Sequence, residues 1–145
     1  MTGLGRHRWV PRWLIVIVLA LAVQGCGVIV ADDPLETKLG DLKDRGQSAP
    51  LRDLTEFDWD EVHLFNEYTR REVIEEHVGQ PVISADRHQS GSLLVFELDG
   101  EVVKTVTVSG DYLRGDEFSY GPDVRVVPWG RGAMRLEQPG SEGSQ

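Results

Sequence analysis

The sequence predicts an α+β fold: a small antiparallel β-meander sheet with one short helix packed on a face, preceded by an N-terminal apolar segment. Three observations predict it. An aromatic-rich apolar stretch at 57–65 reads as a strand, a helix with a marked start and stop follows at 69–79, and Asp99-Gly100 then joins two apolar runs. Strand, helix and meander in that order place the helix on one face of an antiparallel sheet.

The strand at 57–65 holds Phe57, Trp59, Val62, Leu64 and Phe65, which suits an element with apolar side chains on both faces. Thr69-Arg70-Arg71-Glu72 then fits a capping box, in which the Thr69 hydroxyl accepts from the Glu72 amide and the Glu72 carboxylate reaches back to the Thr69 amide. Tyr68, just before it, is placed to pack on Val73 as a hydrophobic staple. Val73, Ile74, His77 and Val78 form the side expected to face the sheet. Gly79 supplies the C-terminal stop, and Pro81 prevents continuation.

Asp99-Gly100 between 93–98 and 101–108 is a strong hairpin signal, because a type I′ turn needs two positive φ angles. A two-residue loop opposes Leu98 with Glu101, Phe96 with Val103 and Leu94 with Thr105. Leu94, Phe96, Leu98 and Val103 then make the core face, and Glu97 and Lys104 become diagonal neighbours on the other. Residues 82–85 and 124–128 are expected to add strands, Gly130-Arg131-Gly132 a turn, and 133–137 a last strand. The Gly- and acid-rich segment 110–122 reads as a loop.

Arg6, His7, Arg8 and Arg12 precede an apolar run over 13–23, which closes on Val23-Gln24-Gly25-Cys26. A basic start, a short apolar stretch and a small residue at the cut are the anatomy of an export signal. Cys26 directly after Gly25 makes it resemble a bacterial lipobox, whose cysteine receives a diacylglyceryl group and palmitate-type acyl chains. Gln24, two before the cysteine, departs from the small or hydroxyl residues usual there. A second reading takes 13–31 as one uncleaved span, since about 20 apolar residues cross the hydrocarbon. In both, positive charge before the span and Asp32 and Asp33 after it leave the rest of the chain on the extracytoplasmic side of the cell membrane.

The expected organisation is a signal peptide at 1–25, a lipidated cysteine and polar tether at 26–50, one exported domain at 51–137 and a disordered tail at 138–145. Leu35, Leu39 and Leu42 have helical spacing within the tether, so a short weak helix at 34–45 is the alternative there. Cys26 is the only cysteine, so no intramolecular disulfide forms.

The chain carries a net charge of −9. Residues 1–25 hold three arginines and no acid, so without them 12 basic residues face 24 acidic ones, a net −12. That sign argues against a nucleic-acid partner, whose phosphates are neutralised by Lys and Arg. It argues equally against the domain lying flat on anionic lipid.

Catalytic and metal sites are not predicted, and neither is a cofactor. Asp58, Asp60 and Glu61 lack the alternating ligands and bend glycine of a calcium loop and read as a solvated strand edge. His63, His77 and His88 have no partner at i+4 and no H-E-x-x-H arrangement. The alternative to the absence of a metal site is a folded one joining His63, His77 and Asp86. Ser90, Ser92, Ser109 and Ser119 stand in no nucleophile elbow. Tyr112, Phe118, Tyr120 and Trp129 fall in or beside the late loops and form the candidate binding surface, against the alternative that these rings cap a small sheet.

From 57 to 79 the chain reads F-D-W-D-E-V-H-L-F-N-E-Y-T-R-R-E-V-I-E-E-H-V-G. This resembles a group of small bacterial envelope lipoproteins of unknown function, through Trp59, Asp60, Val62, Phe65, Tyr68, Thr69, Glu72, Val73 and Gly79. A fainter resemblance is to BamE-type outer-membrane assembly lipoproteins, through Thr69, Val73, Gly79 and Pro81. The valine-to-glycine spacing here is one residue longer, and a strand stands where that family has another helix. The expected function is a membrane-tethered, non-enzymatic binding or structural module whose partner is an envelope protein or cell-wall component. The alternatives are a hydrolase or metal-dependent envelope enzyme, and a surface inhibitor or immunity-type lipoprotein.

Overall fold

The computed structural model describes residues 34–109 and 112–140. The segment expected to be an export signal, Cys26 and the end of the tail therefore lie outside the described residues. Among the described residues, no helix is long and apolar enough to cross a membrane.

Among the described residues the fold is α+β, with two α-helices and two four-stranded sheets. In the first sheet β4 (Glu101–Val108), β3 (Ser92–Leu98), β2 (Glu61–Phe65) and β6 (Ser119–Tyr120) lie in that order, all antiparallel. The second runs β1 (Ala49–Pro50), β7 (Arg125–Pro128), β8 (Met134–Glu137) and β5 (Leu113–Gly115), with β5 and β8 parallel. The loop expected at 110–122 thus contributes a strand to each sheet. Residues 82–85 form none; instead Ile83 buries its side chain and Val82 packs beside it.

Both faces of the first sheet are covered. One carries Val62, Leu64, Leu94, Phe96, Val106 and Val108 into the main core, with Leu113, Val126, Met134 and Leu136 from the second sheet. The other carries Phe65, Leu93 and Val95 against Ile74 and Val78 of helix α2 (Arg71–Val78).

Residues 34–50 correct the expected tether. Helix α1 (Pro34–Arg45) buries Leu35 and Leu39 in the main core, and Leu42 packs against it. Glu36 in the first turn and Lys43 and Arg45 in the last suit the helix dipole. Gly46, at φ 61°, ends the helix, and the Gln47 amide donates to Leu42 O at 3.0 Å, as in a Schellman motif. A 3-10 turn, Leu51–Leu54, adds two more buried leucines.

The strand expected from residue 57 begins at Glu61. Phe57 and Trp59 precede it in irregular backbone and meet Phe96 edge-on, at 5.0 and 5.4 Å between ring centroids. The Trp59 indole donates to Thr55 Oγ1 and its carbonyl accepts from Arg52, both at 2.9 Å.

The hairpin turn forms as predicted, with Asp99 at φ 53° and Gly100 at φ 78°. Asp60 Oδ2 accepts from the Asp99 amide at 3.0 Å, which gives one member of the acidic cluster a structural role. The expected register holds only next to the turn. A bulge between Phe96 and Glu97 pairs Phe96 with Lys104 and leaves exposed Val103 as the extra residue. This slip turns Val106 and Val108 into the main core and Thr105 toward the helix face, the arrangement that buries more apolar surface. Lys104 lies 5.1 Å from the Phe57 ring centre, on the face opposite Glu97, so the Glu97–Lys104 pair is not made.

Helix α2 ends on left-handed Gly79 as expected, but its capping box is absent. The Thr69 hydroxyl donates to Asn66 O at 2.7 Å, and Tyr68 is 60 % exposed at φ 66° rather than stapled to Val73. Residues 86–88 take over the task. The Arg71 amide donates to Asp86 O, the Tyr68 amide to His88 O and the His88 amide to Thr69 O, each at 2.9 Å. A neighbouring backbone satisfies the helix start that a side chain would otherwise cap.

Candidate functional site

The polar centre of this protein lies on the helix-facing side of the first sheet. Glu61, His63 and Phe65 alternate on that face of β2, and Leu93, Val95 and Glu97 on that of β3. The register sets Glu61 directly opposite Glu97, and His63 opposite both Val95 and Ser119. Strand pairing therefore assembles Glu61, His63, Glu97 and Ser119 from three separate segments.

The centre is dry. His63 is 2 % exposed and Glu97 5 %, while Glu61 is half-buried at the start of its strand. His63 Nδ1 and Ser119 Oγ share a hydrogen bond of 2.8 Å. His63 Nε2 faces Glu97 Oε2 at 3.5 Å, an ion-pair distance with no hydrogen bond: His63 Nε2 and Glu97 Oε1 both lack hydrogen-bond partners. One ligand-type atom from each of Glu61, His63 and Glu97 falls within 4.8 Å of the others.

An aromatic wall borders these groups. His63 stacks near-parallel to Phe65 at 6.2 Å, and Phe118 lies 5.8 Å from Phe65 and 4.3 Å from His77. His77 was expected on the buried side of α2; it is exposed, with Nδ1 2.8 Å from Val73 O. Asp86 pairs with Arg71 at 3.9 Å and is almost fully exposed. Among the described residues His63 therefore groups with Glu61 and Glu97, and not with His77 and Asp86.

The four candidate binding rings divide. Tyr120 is core: it is 4 % exposed, and its hydroxyl accepts from the Glu117 amide at 3.0 Å. A Cβ at Gly115 would lie 2.3 Å from that hydroxyl, so glycine there makes room for the ring. Burial raises the Tyr120 pKa. Tyr112 packs half-buried on the main core, with Lys43 Nζ 4.7 Å from its ring centre. Its hydroxyl pKa is pushed up to about 12, chiefly by burial and in smaller part by the carboxylates of Glu36 and Asp44. Phe118 and Trp129 stay at the surface, 43 % and 50 % exposed. Trp129 sits in the β7–β8 turn, where its amide donates to Ala133 O at 2.8 Å.

A second buried histidine stands apart from the polar centre. His88 lines a groove of about 210 Å³ with Ile83, Arg87, Gln89 and Thr107, and its Nε2 also lacks a hydrogen-bond partner. Desolvation lowers its pKa, partly offset by backbone hydrogen bonds at Gly91 and Ser90 and by the Glu67 carboxylate.

Two chemistries fit the polar centre: a Ser119–His63–Glu97 relay, or a cation held between His63 and two carboxylates. A relay needs its base hydrogen-bonded to the orienting acid, and the His63–Glu97 contact is not a hydrogen bond. It also has no use for Glu61. The cation arrangement uses all of these groups. Sequence spacing missed it because Glu97 stands 34 positions beyond His63. The available signal was His63 and Glu97, each with an apolar residue on either side in its strand.

No protein-family model matches the chain, and no curated protein or solved structure resembles it significantly.

Proposed function

We propose that the chain is an envelope lipoprotein, exported and held to the cell membrane through acylated Cys26, whose folded body is a binding or structural module. The carrying observation is Gly25-Cys26 at the end of an apolar run with a basic start. The resemblance of 57–79 to small bacterial envelope lipoproteins supports the same reading.

The early start of the fold sharpens the picture. Only seven residues separate Cys26 from Pro34, where α1 begins. Such a segment spans at most about 25–30 Å, so the domain works within that reach of the bilayer. Its net −12 charge keeps it from lying flat on anionic lipid.

Trp129 is the best anchor for a protein or cell-wall partner, because a large ring at a turn offers apolar area that the fold does not use. Trp129→Ala should leave the melting temperature nearly unchanged, since surface changes are usually worth within about 0.5 kcal/mol. Cross-linking in intact cells should give discrete adducts with the parent chain and markedly fewer with the variant. Equal adducts, or none with the parent, would contradict the binding role assigned to this ring.

A further inference from the structure

We infer that Glu61, His63 and Glu97 form a binding site for one first-row divalent transition-metal ion, with Ser119 orienting the histidine. The inference does not depend on how the chain is anchored.

The donor set suits such an ion. Imidazole favours zinc and its neighbours over calcium or magnesium, and carboxylates complete the coordination. A tetrahedral zinc with bonds of about 2.0–2.2 Å has ligand atoms roughly 3.3–3.5 Å apart. His63 Nε2 and Glu97 Oε2 already stand 3.5 Å apart. With every ligand atom within 4.8 Å of the others, each of the two edges to Glu61 closes by about 1.5 Å at most. Glu61 is half-buried at the strand end and can make that adjustment by side-chain rotation.

Orientation is the second argument. When His63 Nδ1–H donates to Ser119 Oγ, the Nε2 lone pair points toward the two carboxylates. Metal-binding histidines are commonly fixed by such a bond from the ring nitrogen that does not bind the metal. The unpartnered Nε2 of a nearly fully buried histidine is what this tautomer leaves open.

Charge is the third. Glu61 and Glu97 face each other directly across two strands, and like charges so placed repel. An unpartnered carboxylate oxygen on the buried Glu97 adds a desolvation cost. A divalent cation between them offsets both, and three protein ligands leave a fourth position for water.

The test uses the full-length, tag-free chain in detergent, stripped with chelator and titrated with Zn²⁺ alone. The parent should bind one equivalent per chain. Glu97→Gln and Glu61→Gln preserve shape and should each weaken binding by more than about 100-fold. Ser119→Ala should weaken it by about 10–100-fold, the usual effect of losing such an orienting partner. Asp58→Asn, on an exposed acid nearby, should bind as the parent does. If Glu97→Gln fails to fold, the half-exposed Glu61→Gln decides. No stoichiometric zinc on the parent, or parent-like affinity in Glu61→Gln, overturns the site and leaves a buried His63–Glu97 contact.

Discussion

Phe96→Ala is expected to destabilise the domain by about 3–5 kcal/mol, the usual cost of deleting a large buried ring. Phe96 is fully buried in β3, a central strand of the first sheet, on the face that packs into the main core. It receives Phe57 and Trp59 edge-on, so its loss leaves two further rings without their partner. Edge-to-face pairs add about 0.5–1.5 kcal/mol each beyond buried area. A domain this size has roughly 5–15 kcal/mol in total, so the loss is a large share of what keeps it folded. Urea denaturation of parent and variant measures the difference. A loss under about 1 kcal/mol would contradict the packing described for this layer.

Leu39→Ala should cost about 2–5 kcal/mol, although composition alone assigns the residue to a solvated tether. Leu39 is fully buried beside Leu35, and α1 is tied down elsewhere. Lys38 Nζ donates to Leu54 O at 3.1 Å, and Glu36 Oε1 accepts from the Ser109 amide at 2.7 Å. Asp41→Ala, on the exposed side of the same helix, should change stability by no more than about 0.5 kcal/mol. Equal, small effects of the two substitutions would restore the tether reading.

The contrast between these two positions shows what the sequence made legible. The β3–β4 hairpin and the Gly79 stop were readable because Asp-Gly and glycine do local work that few other residues can do. The α+β class followed from the order of such elements. Helix α1 was readable only as the alternative to a tether, with the bounds 34–45 that it has, because three leucines among charged residues make a weak helix alone; the core beneath them decides the matter. Hairpin register failed at one residue, since a bulge is selected by which face buries Val106 and Val108, a tertiary preference. The α2 cap failed for a similar reason: residues 86–88 supply backbone partners that Thr69 and Glu72 were expected to provide. The very short strands β5 and β6 exist through pairing with distant segments and carry little local signal.

Site legibility followed the same division. Trp129 and Phe118 were recognisable as exposed rings, whereas Tyr120 was misplaced because Gly115 opens a core niche for it. The Glu61–His63–Glu97 centre depends on strand register and on the absence of competing partners. Neither can be counted from spacing along the chain.

Intact-mass analysis of the chain extracted from the membrane fraction tests the anchoring claim most directly. The expected species begins at Cys26 and carries the added mass of a diacylglyceryl group, with or without a further N-terminal acyl chain. A membrane-bound chain that retains residues 1–25 with an unmodified Cys26 would contradict the lipoprotein reading and establish an uncleaved apolar anchor.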